Sequence, residues 1–216
     1  LQALDQMVVG SVVPLLSAAY RSLALKYLDG EALVVGPGVR TGMSLAIDNP
    51  HEVGAHRVAD AVAAFERFGG PCIVVDLGTA TNFDVVSAAG EYLGGVITPG
   101  IEVSLEALTS RAARLARIDL VPPARVIGKS TVECLRSGIV HGTVAMVDGM
   151  VVRLKEELSP DALVIATGGL APLVTSLSMQ IDEQDPLLTL EGLRLVHARN
   201  SSADAPRGRR RASAGA

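Results

Sequence analysis

The sequence predicts an α/β fold, and two features predict it. Nearly half of the 216 residues are apolar (49%) while aromatics are scarce, with no Trp, three Phe and three Tyr, so the interior has to be built from Val, Leu and Ala. Short β-branched runs alternate with longer segments of helical periodicity. The most telling run is Cys72-Ile73-Val74-Val75, which enters from the break Gly69-Gly70-Pro71 and reads as a buried parallel strand. A chain of this length buries a proper core as one large domain or two small ones.

Taken in order, residues 7–13 read as a strand, Pro14 to about Leu28 as a helix, and residues 32–35 as a second strand before the turn Gly36-Pro37-Gly38. His51 to Phe68 reads as an amphipathic helix after an irregular start, with Val58, Val62, Phe65 and Phe68 at helical spacing. From Pro71 a strand–hairpin–strand series runs through Val96-Ile97-Thr98, with turns expected at Ala89-Gly90 and Gly94-Gly95. A helix follows from about Ile101 to Arg114, then a loop with Pro122-Pro123. Residues 131–158 make a long helix, and Gly138, Gly142 and Gly149 on it are small enough for close helix–helix contact. Leu163-Val164-Ile165-Ala166 is a short buried strand, and a last helix covers about Thr189 to Arg199.

Charge and composition exclude several classes. A net charge of −4 provides no overall attraction for nucleic acid, and four Arg in the tail, without interleaved aromatics, do not change that. Residues 201–216 are rich in Ala, Ser and Gly with no large apolar side chain, which predicts a disordered basic tail. Cys72 and Cys134 have no metal-ligand spacing and read as small buried hydrophobes of a reducing, cytoplasmic protein. No segment has the length and apolarity of a membrane span.

The string Asp76-Leu77-Gly78-Thr79-Ala80-Thr81-Asn82-Phe83-Asp84 carries the chemistry. Gly78 lets backbone approach an anion, Thr79 and Thr81 bring donors, and Asp76 brings carboxylate oxygens for a hard cation. In isolation the same string also describes a polar β-hairpin with an Asx-turn. Asn49 to Arg57 precedes a helix whose first turn, at Gly54-Ala55, leaves backbone N–H groups open to an anion. Arg57 there is either a bidentate clamp for a carboxylate or an exposed helix arginine paired with Glu52 or Asp60. Thr167-Gly168-Gly169 is a strand end at which backbone can lie against adenine or phosphate.

The order of these strings resembles the type III pantothenate kinase family, of the acetate-and-sugar-kinase/actin superfamily. The matching strings are Gly36 to Gly42, Asn49 to Arg57, Asp76 to Asp84, Gly94 to Gly100, Gly128 to Glu133 and Thr167 to Gly169, and they span about Met7 to Asn200. The resemblance implies a duplicated ribonuclease-H-like, actin-like kinase fold. It also implies ATP-dependent phosphorylation of pantothenate in coenzyme A biosynthesis, with Mg²⁺, a monovalent cation (K⁺ or NH₄⁺) and a homodimer. Its substrate-binding G-A-D-R falls on Gly54, Ala55, His56 and Arg57, with further substrate contacts at Thr131 and at Ile47, where many members place a Tyr. ATP contacts fall on Gly78, Thr79, Thr81, Gly168 and Gly169, and the cation-binding acid on Asp76.

Two departures modify that expectation. The family's D-x-G-N-T phosphate loop, which supplies the Mg²⁺-holding aspartate, is not found, and the chain starts at Leu1. Residues 1–70 are therefore expected to be an incomplete remnant of the first half, and 71–200 a complete second half. His56 stands where family members have the aspartate general base. Imidazole is a base near neutrality, with an ordinary pKa of about 6.5, yet its nitrogens stand elsewhere than carboxylate oxygens. The expected activity is an impaired kinase. The alternatives are a non-catalytic pseudokinase that binds pantothenate or partners an active paralogue and, more remotely, a nucleic-acid-linked regulator using the Arg tail.

Overall fold

A computed structural model describes residues 4–11, 13–28, 30–111 and 118–201. Residues 202–216, nearly the whole of the expected basic tail, lie outside the described residues, as does the expected end of the third helix at Arg114. The described chain begins with a small parallel unit: β1 (Val8–Val9), α1 (Pro14–Tyr27) and β2 (Leu33–Val34), with Val8 opposite Leu33 and Val9 opposite Val34. The expected strand over 7–13 is cut to two residues because Pro14 opens α1, with Val13 as its N-cap. Val9, Ala24, Leu28 and Ala32 form a minor core under this unit, while Leu15, Leu25 and Tyr27 stay exposed.

The rest is one six-stranded mixed sheet. In chain order its strands are β3 (Ser44–Leu45), β4 (Cys72–Leu77), β5 (Ala80–Val86), β6 (Glu91–Pro99), β7 (Leu163–Thr167) and β8 (Glu183–Gln184). Across the sheet the order is β3-β6-β5-β4-β7-β8. The β4–β5 and β5–β6 pairs are antiparallel, and the β4–β7, β7–β8 and β3–β6 pairs are parallel. Helices α2 (Ala55–Phe68), α3 (Ile101–Arg111), α4 (Thr131–Leu158), α5 (Ala171–Thr175) and α6 (Leu188–Ser201) complete the chain.

The two-residue period of β4 divides the core between the sheet's faces. Ile73, Val75 and Leu77 pack with Val144, Val147 and Val151 of α4 and Val174 of α5. Cys72 and Val74 pack on the other face with Ala61 and Ala64 of α2 and Leu188 of α6. Helix α2 lies between the sheet and α6, which is why its buried positions (Ala59, Ala61, Ala63 and Ala64 besides Val58 and Val62) reach round more than one face. Gly192 of α6 makes that sandwich possible, since a Cβ there would run into the Ala59 carbonyl. The end of α6 also ties down the loop after β2. The Arg40 N–H donates to Asn200 Oδ1 at 3.1 Å, Asn200 Nδ2 donates back to the Arg40 carbonyl at 3.0 Å, and Arg199 reaches both the Thr41 carbonyl and Glu66.

Several expectations are corrected. Gly94-Gly95 is no turn: both lie inside β6, Gly94 where the β5–β6 register slips at Val85/Val86, Gly95 where any Cβ would strike the Phe83 carbonyl. The irregular start expected at His51 is a 3₁₀ turn (Pro50–Glu52), separated by Val53-Gly54 from α2, which ends at Phe68 as expected. Cys72 is buried as expected, but Cys134 is exposed, because the first turns of α4 lie beyond the residues that pack on the sheet. Among the described residues nothing stands within 4 Å of where a Cβ at Gly138 or Gly142 would lie, so the close contact they permit is not made with a described helix of this chain.

Candidate active site

The candidate residues gather where β4 and β7 end. Next after Cys72 and Val74 on the α2 face comes Asp76, opposite Asn82 of β5 and Thr167 of β7. Open α/β sheets bind ligands beyond the carboxyl ends of parallel strands, and Asp76 and Thr167 stand at that edge. Burial pushes the Asp76 carboxyl above the usual range, while an electrostatic interaction with His56 and a hydrogen bond from Asn82 pull it partly back. His56 is half-buried in the first turn of α2. Gly54 caps α2 without any side-chain hydrogen bond, so the helix opens with its first N–H groups unsatisfied by side chains, as the sequence led one to expect.

One turn along, Arg57 is neither exposed nor paired with Glu52 or Asp60. Its Nε donates to Asp84 Oδ1 at 2.8 Å, and the Tyr92 hydroxyl donates to the same oxygen at 2.7 Å. The Tyr92 ring centroid lies 5.8 Å from the guanidinium carbon. Asp84 is fully buried; burial pushes its carboxyl up to about 6, against the opposing pull of Arg57 and of the Tyr92 hydrogen bond. Burial, with the charge of Asp84, raises the Tyr92 phenol in turn. Deeper in α2, Asp60 is fully buried and neither carboxylate oxygen has a partner at hydrogen-bond geometry among the described residues. Burial drives it to about 8; the nearby Thr189 hydroxyl offsets part of that, and the charges of Asp76 and Asp84 add to it.

The glycine-lined edge is built from two turns. The β4–β5 turn closes through Gly78 N–H to the Ala80 carbonyl at 3.0 Å and leaves Thr79 exposed. Gly168, with φ of 93°, lies against it: a Cβ at 168 would stand 2.6 Å from both Asp76 Oδ1 and the Leu77 carbonyl oxygen. Gly169 beside it faces open space.

The structure thus brings Arg57 to Asp84 and Gly78 and Gly168 to Asp76, with His56 within electrostatic range of Asp76. Ile47 packs half-buried beside β6, its Cγ2 3.5 Å from where a Gly94 Cβ would stand. Thr81 does not join the edge: its hydroxyl is wholly buried and unpartnered, because residues 81 and 83 of β5 point to the α4 face. Thr131 is exposed at the start of α4, on the opposite face of the sheet, with no hydrogen bond to the Arg57 group. Sequence reasoning gave no role to Asp84, Tyr92 and Asn82; their only signal is strand parity, which puts Asp84 and Asn82 on the face of Asp76.

The family profile described as type III pantothenate kinase matches residues 1–153. The chain belongs to the type III pantothenate kinase family. It is 49% identical to the type III pantothenate kinase of Moorella thermoacetica over 201 residues, covering 93% of this chain and 79% of that one. The enzyme of Streptomyces avermitilis is 53% identical over 203 residues, covering 92% and 77%. Among solved structures, a conserved Campylobacter jejuni protein ascribed to the Baf family of transcriptional activators superposes with a TM-score of 0.63 at 20% identity, covering 92% of this chain and 84% of that one. That likeness bears on the fold alone, and it supports the α/β architecture with a mixed sheet. No described helix is long and apolar enough to cross a membrane.

Proposed function

We propose that the chain binds pantothenate at the open end of α2, binds ATP along the Gly78–Thr79 and Gly168–Gly169 turns, and is impaired in passing the γ-phosphate between them. The observation that carries this reading is Arg57: a partly buried guanidinium, held from below, standing beside a helix start that no side chain caps. A helix start and an arginine together form an anion site, and the carboxylate of pantothenate is the anion the family's reaction brings. The glycine turns admit phosphate or adenine to backbone, where side chains would block them.

Phosphoryl transfer depends on position and charge more than on covalent chemistry by the protein. In this reading His56 occupies the place of the base that takes the proton from the substrate hydroxyl. A displacement of about 1 Å in such a group costs about 10²-fold in rate, and imidazole nitrogens stand elsewhere than carboxylate oxygens. Asp76 and the Leu77 carbonyl, converging on the space beside Gly168, suit a monovalent cation, whose charge would oppose the burial that raises the Asp76 carboxyl. Among the described residues no group of three or more His, Cys, Asp or Glu is placed to hold a metal ion, so Mg²⁺ belongs in this reading with ATP as its complex. We further propose that residues 71–200, which supply strands β4 to β8 of the sheet, are the second ribonuclease-H-like half of the family's fold. A second copy then packs along the open Gly138 and Gly142 face of α4, Thr131 reaching substrate only from that copy.

The test measures phosphopantothenate formation with Mg·ATP and K⁺, side by side with the Moorella thermoacetica enzyme, and pantothenate affinity by calorimetry. Retained binding with turnover at least about 10²-fold lower is expected. Turnover within tenfold of that relative refutes the impairment, and absence of pantothenate binding refutes the site.

A further inference from the structure

We infer that Asp84, fixed in turn by Tyr92, is a positioning residue that orients Arg57 for recognition of a carboxylate; this rests on the reading of Arg57 as the pantothenate clamp. Both donors converge on one oxygen of Asp84: Arg57 Nε at 2.8 Å and the Tyr92 hydroxyl at 2.7 Å. Its other oxygen, Oδ2, is buried without a partner, so the carboxylate is held by these two bonds alone among the described residues. A guanidinium has five N–H donors in a planar fork. Binding through Nε leaves the far edge, Nη1 and Nη2, and neither has a hydrogen-bond partner among the described residues. That edge is the one a carboxylate engages with two parallel hydrogen bonds.

The strand register makes room for this arrangement. The residue directly opposite Asp84 on β6 is Gly95, and Arg57 Nη2 lies only 3.2 Å from where a Gly95 Cβ would stand. Any side chain at 95 would thus crowd the edge of the guanidinium that remains unpaired. The Tyr92 ring, 5.8 Å from the guanidinium carbon, gives the cation an aromatic neighbour as well as fixing its anchor. Arg57, Asp84, Tyr92 and Gly95 come from one helix and two strands, so the orientation of the fork is set by rigid elements.

Two ligands separate positioning from packing: pantothenate, and pantothenyl alcohol, in which a hydroxymethyl group replaces the carboxylate. The unmodified chain should prefer the acid. Asp84→Ala should erase about tenfold of that preference while leaving affinity for the alcohol nearly unchanged, the size of effect expected when a charge-assisted bidentate contact is lost. Asp84→Asn keeps an acceptor for both donors and should retain the preference within about threefold. Tyr92→Phe preserves the ring and should reduce the preference by a smaller factor; it decides the matter if Asp84→Ala does not fold. Equal loss for both ligands, unchanged preference in Asp84→Ala and Tyr92→Phe, or Asp84→Asn behaving like Asp84→Ala overturns the positioning role. An unmodified chain that binds pantothenate no better than the alcohol overturns instead the reading of Arg57 as a clamp, and this inference with it.

Discussion

Asp60 should make this protein less stable as the pH rises. Its carboxyl is fully buried, has no partner at hydrogen-bond geometry among the described residues, and is pushed to about 8 from an ordinary 3.8. The folded state thus holds the proton far more tightly than the unfolded chain. Its contribution is most favourable below about pH 4, where both states are protonated, and is lost progressively until about pH 8, where both are ionised. Roughly four units at about 1.36 kcal/mol each amount to about 6 kcal/mol across that window, of which about 4 kcal/mol is already gone at pH 7. Asn at 60 keeps the shape and cannot ionise. Urea unfolding of Asp60→Asn and the parent chain at pH 4.5, 6 and 7.5 isolates the effect, because Asp76 and Asp84 titrate in both proteins. The two should differ by about 1 kcal/mol at the lowest pH, apart from any constant offset from the amide, and the variant should gain about 4 kcal/mol more than the parent's share by the highest. A stability difference that stays constant across this range would show that Asp60 does not carry a raised carboxyl, and the argument from its burial would fail.

Gly168→Ala should cost at least about 2 kcal/mol of stability, from a side chain at positive φ and a Cβ against Asp76, and should weaken ATP binding about tenfold by calorimetry; unchanged stability would contradict the turn geometry. Gly142→Leu should shift the sedimentation coefficient toward the monomer with folding intact, since Gly142 faces open space within the chain; an unchanged mass would dismiss the α4 face as an interface. Val147→Ala, at a fully buried position between α4 and the sheet, should lower stability by about 2–3 kcal/mol in chemical denaturation, and a loss under about 0.5 kcal/mol would mean that α4 is not packed as described.

The strands β4 and β7 were legible because burial on both faces forces apolar runs, β5 was legible from its β-rich end Phe83 to Val86, and α4 was legible to the residue at both ends. The two-residue strands β3 and β8 were not, since Ser44-Leu45 and Glu183-Gln184 carry no β-branched signal and depend on an existing edge to pair with. Gly94-Gly95 misled for a related reason: the glycines answer to the Phe83 carbonyl on the neighbouring strand, a contact that local pattern cannot express. At the candidate site, the strings singled out His56, Arg57 and Asp76 as candidates. The partner of Arg57 could not, because Asp84 lies 27 residues away and meets it only through the pitch of α2 over β5. The choice between Glu52 and Asp60 as partners failed because it looked along the helix and not beneath it.

The clasp between α6 and the loop after β2 has a consequence for the order of synthesis. Arg40 and Asn200 are 160 residues apart in sequence yet exchange two hydrogen bonds. Helix α6, made after all six strands of the sheet, also covers the alanine face of α2. At about 5–20 residues per second, α2 leaves the ribosome many seconds before its cover exists. During that interval the helix that carries His56 and Arg57 has only the nascent sheet to lean on, and its alanine stripe is open to chaperones or to other chains. A release that stops short of residue 188 would therefore leave a protein whose sheet is made but whose site-bearing helix was never covered.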